Sequence, residues 1–221
     1  MAQKKAAAHK SRAANRSKPT AAHKRPRNAV ATREAILQSA LLAFSRAGYD
    51  GVGLREIAGE AGVTAILVNR YFGSKEEMFV EAVKITFADT SLFSGDAASI
   101  ADRVAQAMVG KADEDKPDAI RLMLHSASNP RAATILREAL AGQFERPLAA
   151  MLGGRDTGER AALFLALIAG FDLIRNVVGS APLTEADQPG LARRIATMLK
   201  PLVEDKQGKK TDKPQQLTLF G

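Results

Sequence analysis

From Thr32 to Val203 the apolar positions recur at three- and four-residue steps, and polar breaks cut this pattern into helix-sized pieces. Between Thr32 and Ala47 the apolar stripe is Ile36, Leu37, Ala40, Leu41 and Phe44, which predicts an amphipathic helix with Thr32 as its N-cap and Gly48 just past its end. A shorter helix is expected from Leu54 to Ala61, with Leu54, Ile57, Ala58 and Ala61 inward and Gly62 taking the left-handed conformation that ends it. Thr64 opens a third helix to Tyr71, broken at Gly73. Ser74-Lys75-Glu76-Glu77 has the form of a capping box: the Ser74 hydroxyl accepts from the Glu77 amide, and the Glu77 carboxylate accepts from the Ser74 amide. The helix that follows turns Met78, Phe79, Ala82, Val83, Ile85 and Phe87 inward.

Every later segment also has the helical period: Ile100–Val109, Ala119–Ser126, Ala132–Leu152, Gly158–Val178 and Leu191–Val203. Breaks are expected at Gly110–Pro117, Asn129-Pro130, Gly153-Gly154, Ser180–Pro182 and Gln188-Pro189-Gly190. No segment alternates with the period of a strand. The chain therefore reads as all-α. A three-helix head over residues 29–84 has helix-turn-helix proportions, and a larger helical domain fills residues 85–204.

Charge adds a segment that the pattern does not show. Residues 1–28 carry nine bases and no acid, so the net charge of +8 leaves the rest of the chain at −1. Such a segment cannot bury a core and is expected to be a disordered arm that meets a polyanion. Lys24, Arg25 and Arg27 of "KRPR" are placed to lie on DNA phosphates or enter a minor groove. The blander readings are a solubilising tail or an acid-free targeting peptide.

Candidate chemistry narrows the field by its scarcity. Without cysteine there are no disulfides and no thiolate sites, and three histidines are too few for a His-rich metal site. No apolar run approaches the roughly 20 residues of a membrane span. Gly153 and Gly158 have the glycine spacing of a phosphate-binding loop, but Glu159 and Arg160 stand where Lys and Ser or Thr are required. No nucleophile, base or carboxylate pair stands at a catalytic spacing. The expectation is a cytoplasmic, nucleoid-associated protein that is not an enzyme and needs no cofactor.

The third helix carries the positive case. If Val63, Val68 and Phe72 face the core, the opposite side holds Thr64, Ala65, Leu67, Asn69, Arg70 and Tyr71. Asn pairs with N6 and N7 of adenine, and Arg forks onto guanine. Ile66 and Leu67 would be exposed hydrocarbon beside these polar groups, which suits contact with a thymine methyl better than contact with water. Thr64, Tyr71 and Lys75 stand at helix ends, where they can hold backbone phosphates.

Over Thr32–Val83 the chain resembles, without a gap, the N-terminal domain of the TetR-like family of transcriptional repressors. The resemblance rests on Phe44, Gly48-Tyr49, Arg55-Glu56-Ile57-Ala58, Ala61-Gly62-Val63 and Tyr71-Phe72-Gly73-Ser74-Lys75-Glu76 in this order and spacing. It implies an all-α homodimer with the third helix of each head in a major groove. By position it puts base contacts on Ala65, Ile66, Leu67 and Asn69, and backbone contacts on Arg70, Tyr71 and Lys75. Two places depart from the pattern. Gly53 stands where a capping threonine that touches phosphate is common, and the third helix lacks the usual glycine, threonine and aromatic at Ile66, Leu67 and Asn69.

The resemblance also implies that the C-terminal helices form a ligand pocket and a four-helix dimer interface. Phe164, Leu167, Ile168, Phe171 and Ile174, with Leu191, Ile195, Met198, Leu199 and Leu202, are the candidates for the bundle. Arg121, Leu122, Met123, His125, Phe144 and Arg175 are the candidates for the pocket. The expected function is a sequence-specific repressor released from double-stranded operator DNA by a small apolar effector. A second reading comes from residues 205–221, polar and then ending in Gln216, Leu217, Thr218, Leu219 and Phe220. This pentapeptide resembles the one by which bacterial replication and repair proteins dock on the DNA sliding clamp, and it suggests a helical interaction protein tethered there.

Overall fold

The computed structural model describes residues 25–110 and 117–204. Lys24 and the pentapeptide residues Gln216, Leu217, Leu219 and Phe220 lie outside the described residues. Arg25 and Arg27 fall in the first turn of the first helix.

Four helices build the head: α1 (Arg25–Ala47), α2 (Leu54–Glu60), α3 (Ala65–Phe72) and α4 (Lys75–Thr86). Helix α1 starts seven residues before the expected N-cap, so Thr32 is an interior residue and not a cap. The reason is local. Ala29 to Glu34 offers little that opposes a helix, and Pro26 is tolerated in a first turn, where its missing amide has no partner to lose. The other signals act as their chemistry requires. Gly62 takes φ 67° between α2 and α3, and the Val63 amide returns to the Ala58 carbonyl at 2.8 Å. The Glu77 amide donates to Ser74 Oγ at 3.1 Å, and the Ser74 amide donates to Glu77 Oε2 at 2.8 Å, so both halves of the capping box are made.

Ile36, Leu37, Ala40, Leu41 and Phe44 are buried against Ile57, Ala58, Val68, Phe72, Met78 and Phe79. Phe79 sets its edge against Phe44 at 5.1 Å and Tyr49 at 5.0 Å between ring centroids. Ile85 departs from the expected inward set: it is exposed, because Val83 and Phe87 already take the buried side of that turn. Arg33 ties the head together from outside: its Nη2 donates to both carboxylate oxygens of Glu81, at 2.7 and 2.6 Å, and its guanidinium lies 4.7 Å over the Phe72 ring.

The remaining helices are α5 (Ala97–Val109), α6 (Ala119–Ser126), α7 (Pro130–Leu140), α8 (Arg146–Met151), α9 (Thr157–Asp172), α10 (Ala181–Thr184) and α11 (Gln188–Val203). Five residues of π-helix, Ala141–Glu145, join α7 to α8, and five more, Leu173–Val177, extend α9. Gln188-Pro189-Gly190, expected as a break, is instead the first turn of α11: the Asp187 side chain accepts from the Gly190 amide, and Pro189 suits that turn. Among the described residues there is no strand, and no helix is long and apolar enough to cross a membrane.

Two apolar cores result, and they do not divide at the end of α4. Leu122 of α6 and Ala132 and Leu136 of α7 are buried in the head core, while Ile100, Val104, Leu148, Phe164, Ile195 and Leu199 make a second core from α5, α8, α9 and α11. The head thus rests on α6 and α7, and the turn after α1 is bonded to the end of α6. His125 Nδ1 lies 2.8 Å from the Arg46 carbonyl, the Tyr49 amide donates to Ser126 Oγ at 3.0 Å, and Asn129 Nδ2 donates to the Asp50 carboxylate at 2.9 Å.

Candidate nucleic-acid interface

Helix α3 is held by one side and open on the other. Val68 and Phe72 are buried, and Val63, Ala65 and Tyr71 pack half-buried on the head core. The open side carries Ile66, Asn69 and Arg70, spaced three and four residues apart and so stacked on one face. Leu67 flanks it half-buried. The residues expected to touch DNA from this helix are therefore not equivalent: Ile66, Asn69 and Arg70 project, whereas Ala65 and Tyr71 also serve the core.

The ends of α3 are open as well. Thr64 is the N-cap in an extended conformation, exposed, and its side chain makes no capping bond to the helix. The leading amides of α3 thus make no bond to the Thr64 hydroxyl beside them, a pairing of groups that suits a phosphate oxygen. Gly53, at the N-cap of α2, has no side chain to offer there. Lys75 sits at the other end with Nζ 4.7 Å over the Tyr49 ring, which fixes the ammonium group on the side of the head where α4 begins. Burial leads in raising the Tyr49 phenol above its ordinary pKa, with the Glu76 carboxylate adding to it. Nothing in the sequence marks that Lys–Tyr contact, since Tyr49 and Lys75 stand 26 positions apart.

The sequence matches the model of bacterial regulatory proteins of the tetR family over residues 36–82 and that of the tetracyclin repressor-like C-terminal domain over residues 98–203. It is 30% identical to a TetR-family regulator of known crystal structure from Streptomyces coelicolor A3, covering 79% of this chain and 95% of that one at a TM-score of 0.53. The chain belongs to the TetR family. A TetR-family regulator from Agrobacterium tumefaciens has a similar fold at 18% identity, with a TM-score of 0.59 over 76% of this chain and 98% of that one. The HTH-type transcriptional regulator BetI of Agrobacterium fabrum is 37% identical over 57 residues, which span 28% of its length and 26% of this chain.

In this TetR-family chain the bundle candidates divide. Ile195 and Leu199 are buried in the chain's own second core, while Leu167 and Ile174 are each 44% exposed and Met198 is 56% exposed. Leu167, Phe171, Met198 and Leu199 line an apolar groove of about 230 Å³ between α9 and α11. The surface left bare by the fold is thus the α9 side of the expected bundle, with Met198 from α11.

The pocket candidates fall into two groups: Leu122 and Phe144 share the head core, while Arg121 and Arg175 both act on the Asp172 carboxyl. Leu122 is buried in the head core, and His125 is exposed at the α6 end against the Arg46 carbonyl. Arg121 is exposed and paired with Asp118 at 3.2 Å. Phe144 packs edge-on to Phe87 and Phe93, at 5.6 and 5.4 Å. Arg175 is buried and donates to the carbonyls of Met108, Val109 and Gly110 at the end of α5. These residues are candidates for a pocket that the resemblance implies, and sequence carries no information about which neighbouring element each would meet.

Proposed function

We propose that this TetR-family protein is a dimeric repressor that reads an operator with α3 and releases it when a small molecule binds the C-terminal helices. The observation that carries this reading is the split of α3 into a buried side, Val68 and Phe72, and a projecting side of Ile66, Asn69 and Arg70, between ends that carry Thr64 and Lys75. Such a helix spends none of its outer side chains on the fold. Bare apolar surface along α9 and Met198 supports pairing of two chains, which would set two heads side by side on one duplex. A groove of about 210 Å³ between α4 and α7, lined by Val80, Val83, Lys84, Ile135 and Glu138, supports the release step. A molecule seated there would press on α4, which follows α3 directly through Gly73, and would act by favouring one head spacing over the other.

The test is selection of fragments from a random-sequence DNA pool at near-physiological salt. A palindromic consensus is expected, and Asn69→Ala should relax it at one position per half-site, with a loss of about 1–3 kcal/mol for each. Deleting residues 1–24, which leaves α1 whole, should weaken binding to all sequences alike and flatten its salt dependence. Failure to recover any consensus would end the operator reading.

The pairing surface has its own test. Leu167→Glu is expected to give a folded monomer by light scattering and to lower operator affinity about a hundredfold, because two linked heads gain affinity by effective concentration. An unchanged molecular mass would move the interface elsewhere.

A further inference from the structure

Among the described residues Ile66 is the most exposed large hydrophobic side chain, at 82%. It contributes nothing to either core and lines neither the α9–α11 groove nor the α4–α7 groove. Its position gives this exposure a direction. Ile66 is the second residue of α3, at the end of the helix whose first turn reaches deepest into a groove in a helix-turn-helix. Asn69 and Arg70 lie one turn further on the same face, both exposed.

A major groove offers a hydrocarbon side chain few favourable contacts. Guanine, cytosine and adenine edges present donors and acceptors that an isoleucine would desolvate without replacement, at a cost. The thymine C5-methyl group is the apolar feature of that surface. We infer that Ile66 reads the C5-methyl of a thymine in each half-site, next to the base that Asn69 contacts. The branch at its Cβ restricts χ1 in a helix, so little side-chain freedom is lost when the contact forms. The inference rests on the operator reading and sharpens it: Asn69 selects adenine by hydrogen bonds, and Ile66 selects thymine by a methyl contact.

Deoxyuridine keeps every hydrogen-bonding group of thymine and lacks only the methyl, so it isolates the contact. Each thymine of the selected operator is replaced in turn by deoxyuridine, and affinities are measured for the wild type and for Ile66→Ala. One thymine per half-site should weaken the wild type about fourfold on replacement, the worth of one buried methyl-sized group. Ile66→Ala should bind the thymine operator more weakly and be indifferent to the same replacement. Because Ile66 supports no core, the variant's melting temperature should match the wild type's, which separates lost contact from lost fold. Ile66→Val, which keeps the branch, should retain most of the methyl sensitivity.

A clear consensus with no methyl-sensitive thymine would overturn this inference and leave the operator reading intact. It is equally overturned if Ile66→Ala keeps the wild-type sensitivity, or if that variant binds DNA normally and instead loses a protein partner. Absence of any consensus would remove both.

Discussion

Gly48→Ala is expected to destabilise the chain by about 4 kcal/mol, lowering its melting temperature by roughly 10 °C at fixed protein concentration. Two costs combine at this one position. Gly48 has φ 71°, in the left-handed region, where a side chain costs about 1–2 kcal/mol. A Cβ there would also stand 2.2 Å from the His125 carbonyl oxygen and 2.5 Å from its carbon, both backbone atoms of α6 that cannot turn aside. The turn after α1 and the end of α6 would have to part, and with them the bonds of His125 to Arg46 and of Tyr49 to Ser126. Gly62 separates the two costs. Its φ is 67°, but nothing lies within 4 Å of its Cβ position, so Gly62→Ala should lose only the conformational share, about 1–2 kcal/mol. Equal losses in the two variants, measured by thermal melts, would show that the approach of α6 to the head has no weight. A Gly48→Ala protein that still folds should also bind its operator less well, since the head would no longer be seated on α6.

The contrast between Gly48 and Gly62 marks the limit of what the chain's pattern discloses. Gly62 ends α2 for a reason local to its neighbours, and the capping box at Ser74 and Glu77 is equally local; both are legible in four or five residues. The same holds for the stripe Ile36 to Phe44 and for the split of α3, where period alone puts Val68 and Phe72 inward. Contacts across the chain leave no such mark. Tyr49 meets Ser126 from 77 positions away, and Arg175 meets Val109 from 66. His125 and Arg175 stand in the sequence as polar groups on apolar helices, which suits a pocket as well as it suits a clasp. Ile195 and Leu199 have the period of bundle residues, and only the packing of α11 shows that they serve their own chain. The start of α1 escapes the pattern for another reason: a basic run without apolar period gives no helical signal, although nothing in it forbids a helix once α1 is under way.

Arg175→Met should cost about 3 kcal/mol, whereas Arg121→Met, changing another pocket candidate, should be close to neutral. Arg175 comes from the π-helical extension of α9 and is 8% exposed. Its Nη1 donates to the Met108 and Gly110 carbonyls at 2.8 and 3.1 Å, and its Nη2 to Val109 at 2.9 Å. These are the carbonyls that the end of α5 leaves without partners, so one guanidinium closes the helix that packs most closely on α11. Methionine fills the space and satisfies none of them, and lysine, with a single ammonium, should recover only part. Arg121 lies exposed with one carboxylate, Asp118, at 3.2 Å, a pair that water competes with freely. The Asp172 carboxyl adds a pH signature. Burial pushes it above its ordinary pKa and the Asp118 charge adds to this, while the Asn176 amide, donating at 2.6 Å, and the charges of Arg175 and then Arg121 act to lower it. Removing Arg175 raises it further. Because a raised carboxyl favours folding below its unfolded pKa and loses that contribution as pH rises through the folded one, the deficit of Arg175→Met should be smaller in acid and wider at neutral pH. Melts of wild type, Arg175→Met and Arg121→Met across that range decide the matter: matching deficits in the two variants would show that the buried guanidinium does not close α5, and an Arg175 deficit that narrows toward neutrality would show that it does not steady Asp172.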